Sequence, residues 1–279
     1  MEQKDSKIVF FDVDGTLFNE KGIVTKQLQE TLLALQQRGH KICIASGRSK
    51  HHIGPELVDT IPWDGYVLGN GVYSEYEGTL VDHQIMEASL VKEFVRDTES
   101  FPELALIIES NEGSYLTERS SKIAYKAMQK ITHRDYITYE VFLKLFHIVE
   151  DLTQVININK MMYFNGGEYA KQMMEKYADR LEILPNSVTQ RLSFDEGEIM
   201  IRGVTKATGI AQIIRFAGYK REDVIAFGDG YNDLEMIAYA GIGIAMGNAI
   251  DELKQEADFV TDTNRNEGVV KMLKQLELV

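Results

Sequence analysis

The sequence predicts an α/β protein built on a parallel sheet, with a second, α+β domain inserted into it. Three observations carry that expectation. The runs Ile8 to Phe11, Ile42 to Ala45 and Val224 to Phe227 are continuously apolar, as strands buried on both faces are. Apolar residues at helical spacing lie between such runs, and strand–helix alternation is the mark of a parallel sheet. The alternation lapses from about His83 to about Asp195 and then resumes, so one domain encloses another. We therefore expect 1–83 and 196–279 to form the enclosing core and 84–195 the insert.

In order, the first strand, Ile8 to Phe11, runs into Asp12-Val-Asp14-Gly15. Two carboxylates two residues apart in extended chain point to one side, and Gly15 lets the backbone turn away. Such a pair repels itself unless a cation or a proton intervenes. From Thr25 to Arg38, Leu28, Leu32 and Leu35 mark a helix capped by Thr25 and stopped by Gly39. Ile42 to Ala45 is a strand ending in Ser46-Gly47-Arg48, and Tyr66 to Leu68 one ending in Gly69-Asn70-Gly71.

Within the insert, Ala105 to Ile108, Gln154 to Ile158 and Met161 to Phe164 read as strands. Leu90 to Val95, Lys122 to Ile131 and Glu168 to Leu181 read as helices, with turns at Gly166-Gly167 and Pro185-Asn186. After it, Ile210, Ile213, Ile214 and Ala217 mark a helix with Gly218 as its stop. Val224 to Phe227 is a strand ending in Gly228-Asp229-Gly230-Tyr231-Asn232-Asp233. A helix through Leu234 and Ile237, a strand at Ile242 to Ala245 and a short strand at Phe259-Val260 complete the alternation.

Composition narrows the function. Of 279 residues, 44% are hydrophobic and 26% charged, which suits a globular chain with a sizeable core. No run approaches the ~20 apolar residues of a membrane span. The polar N-terminus does not read as a signal peptide, and the single cysteine, Cys43, fits a reducing cytoplasm. The net charge of −13 argues against nucleic-acid binding. It also means that a phosphorylated substrate needs locally supplied positive charge, which a metal ion provides.

The chemistry-bearing residues share one location: the carboxyl ends of predicted parallel strands, the rim where such sheets bind ligands. Asp12 and Asp14 could be turn residues, and Asp229 and Asp233 helix caps. Together they offer the oxygen ligands that a hard cation such as Mg²⁺ prefers. Ser46 can cap a helix, or hold a phosphate with the backbone N–H groups after it; Arg48 could orient an anion. Lys206 falls in the first turn of a helix capped by Thr205, against the helix dipole. It is either a solvated surface lysine or one facing carboxylates. Asn70 could be a plain turn residue. The histidines show no ligand spacing.

These motifs, in this order, resemble the haloacid dehalogenase-like superfamily and, within it, the Cof-type phosphatases. Asp12-Val-Asp14-Gly-Thr16, Ser46-Gly47-Arg48, Lys206 and Gly228-Asp229-Gly-Tyr-Asn232-Asp233 carry the likeness. Asn70-Gly71, Ala245-Met-Gly-Asn248-Ala249 and Asn266-Glu-Gly268 extend it over the whole chain. Ala207 follows the lysine where the subgroup usually has glycine. The resemblance implies a Rossmann-like core with an inserted cap, and a cytoplasmic Mg²⁺-dependent phosphatase acting on a small phosphorylated metabolite through an aspartyl-phosphate.

The resemblance also implies roles. Asp12 is the nucleophile, Asp14 the general acid and base, and Ser46 and Lys206 complete the catalytic set. Ser46, Gly47, Arg48, Asn70, Lys206 and Asn232 bind phosphate or substrate. Asp12, Asp229, Asp233 and the main-chain carbonyl of Asp14 surround the metal. The cap selects the leaving group, and the protein is a monomer or small homo-oligomer. Phosphomutase-type transfer is the alternative reaction, and a catalytically silent regulator on the same fold the remaining one.

Overall fold

The structure is a computed structural model that describes residues 6–19, 22–132, 138–185 and 194–279. The N-terminal segment before Ser6 and Asn186 of the expected Pro185-Asn186 turn lie outside the described residues. The chain folds into two compact units. One comprises residues up to Arg48, His52–His83 and Val204–Val279; the other comprises Ser49–His51 and Gln84–Gly203.

In chain order the first unit begins with β1 (Ile8–Phe11), α1 (Lys26–Gln37), β2 (Lys41–Ala45), α2 (Pro55–Val58), β3 (Gly65–Leu68), β4 (Tyr73–Tyr76) and β5 (Thr79–His83). The second holds α3 (Ala88–Glu99), β6 (Ala105–Ser110), β7 (Ser114–Leu116), α4 (Glu118–Thr132), α5 (Tyr139–Leu143), β8 (His147–Ile148), β9 (Ile158–Phe164), α6 (Gly167–Lys176), β10 (Leu181–Pro185) and β11 (Glu196–Ile201). The chain returns to the first unit with α7 (Lys206–Ala217), β12 (Val224–Gly228), α8 (Leu234–Tyr239), β13 (Ile242–Ala245), α9 (Asp251–Glu256), β14 (Phe259–Val260) and α10 (Gly268–Gln275).

Among the described residues the first sheet runs β14-β13-β12-β1-β2-β3-β4-β5. It is parallel from β14 to β3, and the β3–β4–β5 hairpins close one edge antiparallel. β1 lies between β12 and β2, with Phe11 opposite both Phe227 and Ile44. Every residue of β1 is fully buried, as its unbroken apolar run requires. The first and fourth motifs consequently leave adjacent strands at the same end of the sheet. In α1, the Thr25 hydroxyl accepts from Leu28 N at 3.2 Å, and Gly39 follows the helix at φ +91°.

The second unit carries the sheet β10-β11-β9-β6-β7-β8, antiparallel except for β7 with β8. Here the expectations need three adjustments. β11 begins at Glu196 but pairs with β9 and β10, so the first unit resumes at Val204 and not at residue 196. The expected strand from Gln154 to Ile158 opens instead as a single 3₁₀ turn, Leu152–Gln154, and Asn157 at φ +55° breaks extension before β9 starts. The helix from residue 168 ends at Lys176, and Leu181 already belongs to β10. No helix among the described residues is long and apolar enough to cross a membrane.

Candidate active site

All the singled-out residues of the four motifs lie in the first unit. At the end of β1, Asp12 N donates to Phe227 O at 3.0 Å, which continues the ladder with β12 one residue further. The chain then kinks at Gly15, φ +93°. A Cβ at this position would sit 2.1 Å from Asp229 Oδ2, so only glycine lets the turn pass against that carboxylate. The next residue, Thr16, donates its hydroxyl to Asp229 Oδ1 at 3.1 Å.

Lys206 is the centre of the charge arrangement. It is the first residue of α7, buried to 1% exposure, and its Nζ donates to Asp12 Oδ1 and to Asp233 Oδ1, each at 2.6 Å. The unfavourable helix dipole is thus outweighed by two buried ion pairs, and the surface-lysine reading does not hold. Asp233 does not cap α8 with its side chain; its Oδ2 instead ties down the preceding loop, accepting from the backbone N–H groups of Asp229 and Gly230, both at 2.9 Å.

One ammonium faces three buried carboxylates, and the imbalance shows in the proton affinities of Asp12 and Asp229. Burial, with repulsion from Asp233 and Asp14, pushes Asp12 up to about 7 despite the attraction of Lys206. Burial and the charges of Asp12 and Asp233 push Asp229 up to about 8. Lys206 is held firmly protonated by Asp12 and Asp233 against the cost of its burial. Carboxylate oxygens of Asp12, Asp229 and Asp233 lie within 4.8 Å of one another. An all-oxygen donor set carrying surplus negative charge fits a hard divalent cation.

The Asp14 carboxylate stands outside this group. Its side chain is 60% exposed and paired in two-pronged fashion with Arg48, Nε to Oδ2 and Nη2 to Oδ1, each at 2.8 Å. The guanidinium also donates to His52 O at 3.2 Å and lies 5.1 Å from the centre of the Phe18 ring. Arg48 is therefore bound to the proposed general acid, a partnership that the sequence did not reveal.

Ser46 and Asn70 come from neighbouring strand ends and are both buried. Asn70 N donates to Ser46 O at 3.0 Å and Gly69 N to Arg48 O at 2.8 Å, which zips the two loops together. Asn70 is left-handed at φ +58°, and its Oδ1 accepts from Asn232 Nδ2 at 2.9 Å. Gly47 lies beneath this pair; a Cβ there would be 3.0 Å from Asn70 Oδ1 and 3.2 Å from Asn232 Nδ2. The structure thus brings Ser46, Gly47, Asn70 and Asn232 into one polar patch, and Asp12, Lys206, Asp229 and Asp233 into one charged cluster. Ser46 Oγ accepts from Arg48 N at 3.2 Å, a local turn contact; no helix starts directly after Ser46, so it is not a helix cap.

Thr16 of the first motif also belongs to the site through its bond to Asp229. Its place two residues after Asp14, on the far side of Gly15, was the available signal.

Fold and site together define an enzyme with acid, lysine and amide groups gathered at the carboxyl rim of a parallel sheet. A profile of the haloacid dehalogenase-like hydrolases matches residues 9–273, and the chain belongs to that family. The 5-amino-6-(5-phospho-D-ribitylamino)uracil phosphatase YitU of Bacillus subtilis is 28% identical, with 96% of each chain covered. Among solved structures, the phosphatase BT1666 of Bacteroides thetaiotaomicron superposes with a TM-score of 0.82 at 26% identity, over 99% of this chain and 97% of its own. The subclass IIB sugar phosphatase BT4131 gives 0.80 at 28% identity, over 98% and 100%. The chain is a phosphatase of this family.

Proposed function

We propose that the protein is a cytoplasmic, Mg²⁺-dependent phosphatase of a small sugar phosphate or related phosphorylated metabolite, and that Asp12 is its nucleophile. The observation that carries this reading is the Lys206 bridge. With its Nζ on Asp12 Oδ1 and Asp233 Oδ1, Lys206 fixes the Asp12 carboxylate and leaves Oδ2 to attack. Relatives that act on a phosphoribityl compound and on sugar phosphates support the substrate class.

In the first half-reaction a bond forms between Asp12 Oδ2 and phosphorus, the bond from phosphorus to the leaving oxygen breaks, and Asp14 gives that oxygen its proton. In the second, water attacks phosphorus, Asp14 takes the water's proton, and the Asp12–phosphorus bond breaks to release inorganic phosphate. Lys206 offsets charge on Asp12 as the phosphoryl group approaches, while Ser46, the backbone N–H groups after it and Asn232 hold the phosphoryl oxygens. Asp12, Asp229, Asp233 and the Asp14 carbonyl would hold the cation, which neutralises phosphoryl charge when bound. Selection of the leaving group is assigned to the inserted α+β unit.

Purified protein with Mg²⁺ and p-nitrophenyl phosphate tests the reading. Asp12→Asn is expected to lose at least about a thousandfold in kcat. Equal turnover by wild type and variant would remove Asp12 from the role. Hydrolysis in ¹⁸O-labelled water should place solvent oxygen in the released phosphate; an isomerised phosphorylated sugar without it would indicate a mutase.

A further inference from the structure

The stretch Ala245 to Ala249 and the loop before α10 take no part in the chemistry above, yet their side chains reach the nucleophile's loop. Asn248 Nδ2 donates to Gly15 O at 2.8 Å. Asn248 Oδ1 accepts from Asn264 N at 3.0 Å, and Asn264 Nδ2 donates to Phe18 O at 2.7 Å. Phe18 N in turn donates to Val13 O at 2.9 Å. Two asparagines more than 200 residues downstream thus hold the turn that carries Asp14 at two of its carbonyls.

This grip has a physical reason. The φ/ψ values of Asp14 and Gly15 are non-helical, so the turn departs there from regular backbone geometry. A carbonyl in such a kink has no neighbouring strand to bond, and its peptide plane is free to rotate unless a side chain takes it. The peptide after Gly15 leads directly to Thr16, whose hydroxyl rests on Asp229. Rotation there would displace Asp14 on one side and the Thr16–Asp229 contact on the other.

The gripping segment is itself anchored. Met246 N donates to Gly228 O at 2.9 Å, Ile250 N to Asp229 O at 3.1 Å, and Gly247 N to Asp262 O at 3.0 Å. Asn248 therefore refers the Asp14 turn to the same backbone that carries Asp229.

We propose that Asn248, braced by Asn264, is a positioning residue: its amide fixes the Gly15 peptide so that Asp14 meets the leaving oxygen while Thr16 stays on Asp229. The proposal rests on the phosphatase reading for its kinetic consequence but not for its geometry. Asn248→Ala removes the donor to Gly15 and the acceptor for Asn264 together. Asn264→Ala keeps its own backbone N–H on Asn248 and deletes the Phe18 contact, together with the acceptor that Asn264 Oδ1 gives Arg265 N at 3.0 Å.

Two phosphate esters separate a positioning role from a general loss of structure. A displaced Asp14 slows an alkyl phosphate, whose leaving oxygen must be protonated, more than p-nitrophenyl phosphate, whose leaving group departs as an anion. Asn248→Ala is expected to lower kcat on the alkyl ester about 10- to 100-fold with KM within about twofold. The aryl-to-alkyl rate ratio should rise, and Asn264→Ala should move it the same way by less. Direct titration with Mn²⁺ alone should show weaker binding in Asn248→Ala at an unchanged melting temperature. An unchanged rate ratio with unchanged Mn²⁺ binding overturns the proposal, as does an equal fall on both esters that tracks a lowered melting temperature. If wild type turns over neither ester, the phosphatase reading fails, and the Mn²⁺ titration alone decides the role of Asn248.

Discussion

Lys206 shows how one side chain can satisfy a conflict its own helix creates. A cation at a helix N-terminus is disfavoured, and a buried one more so, unless carboxylates meet it. Asp12 and Asp233 do. Lys206→Met is expected to leave those two acids buried without their counter-ion and to cost about 3–5 kcal/mol of stability, measured by urea denaturation without metal. Phosphatase turnover should fall with it. The Arg48–Asp14 pair is the opposite case, because its Asp14 end is open to solvent. Arg48→Ala should change stability by less than about 1 kcal/mol, yet lower kcat by losing control of Asp14. A large fall in melting temperature would show the pair to be structural.

Single residues also mark what was legible locally. Asp12, Asp14, Asp229 and Asp233 stand at strand ends in the sequence itself. That Asp14 faces Arg48 while Asp233 faces Lys206 depends on the directions of long side chains, which neither spacing nor composition contains.

At the scale of elements, α7 is placed by close backbone approach. Gly71, at φ +106°, lies against the residue before the helix, and a Cβ there would come within 2.0 Å of Thr205 O. Gly209 meets Val67 in the same way, at 2.5 Å from Cγ1. Gly71→Ala must therefore strain its own backbone and push the start of α7, costing about 1–3 kcal/mol. Because Lys206 is the first residue of α7, kcat should fall as well. Denaturation and kinetics on the same preparation check both; retained kcat in a destabilised variant would separate the helix start from the site.

Elements were most legible where burial is two-sided. β1, β2, β12 and β13 announce themselves as apolar runs with chemistry at their ends. β11 does not, because Glu196, Gly197 and Glu198 read as a polar return to the core. Its Glu198 is buried against Lys160 of β9, a partner 38 residues away. The run from Gln154 failed for the reverse reason: a strand-like composition is interrupted by the left-handed Asn157.

For the whole molecule, surplus negative charge sets the response to pH and cations. Asp12 and Asp229 have proton affinities raised in the fold, to about 7 and about 8 from 3.8. A raised acid binds its proton more tightly when folded. Its contribution to stability is therefore complete below about pH 4 and is lost as pH rises through 7 to 8. Metal-free protein should accordingly lose stability across that window. Mg²⁺ should restore it, and its stabilisation, about 2.7 kcal/mol at a hundredfold excess over Kd, should be larger at pH 8 than at pH 5. Thermal melts with Mg²⁺ and with chelator at the two pH values test this; equal stabilisation at both would remove the acid cluster as the cation's site.

The sequence by itself determined the alternation of strands and helices, the existence of an insert and the strand ends at which the acids and Ser46 stand. These are local properties, set by runs of apolar residues and by the turns that end them. Tertiary structure decided the partners: Lys206 with Asp12 across 194 residues, Arg48 with Asp14 across 34, Asn248 with Gly15 across 233. Such pairings depend on where packed elements bring side chains to meet, and a linear pattern holds no record of that meeting.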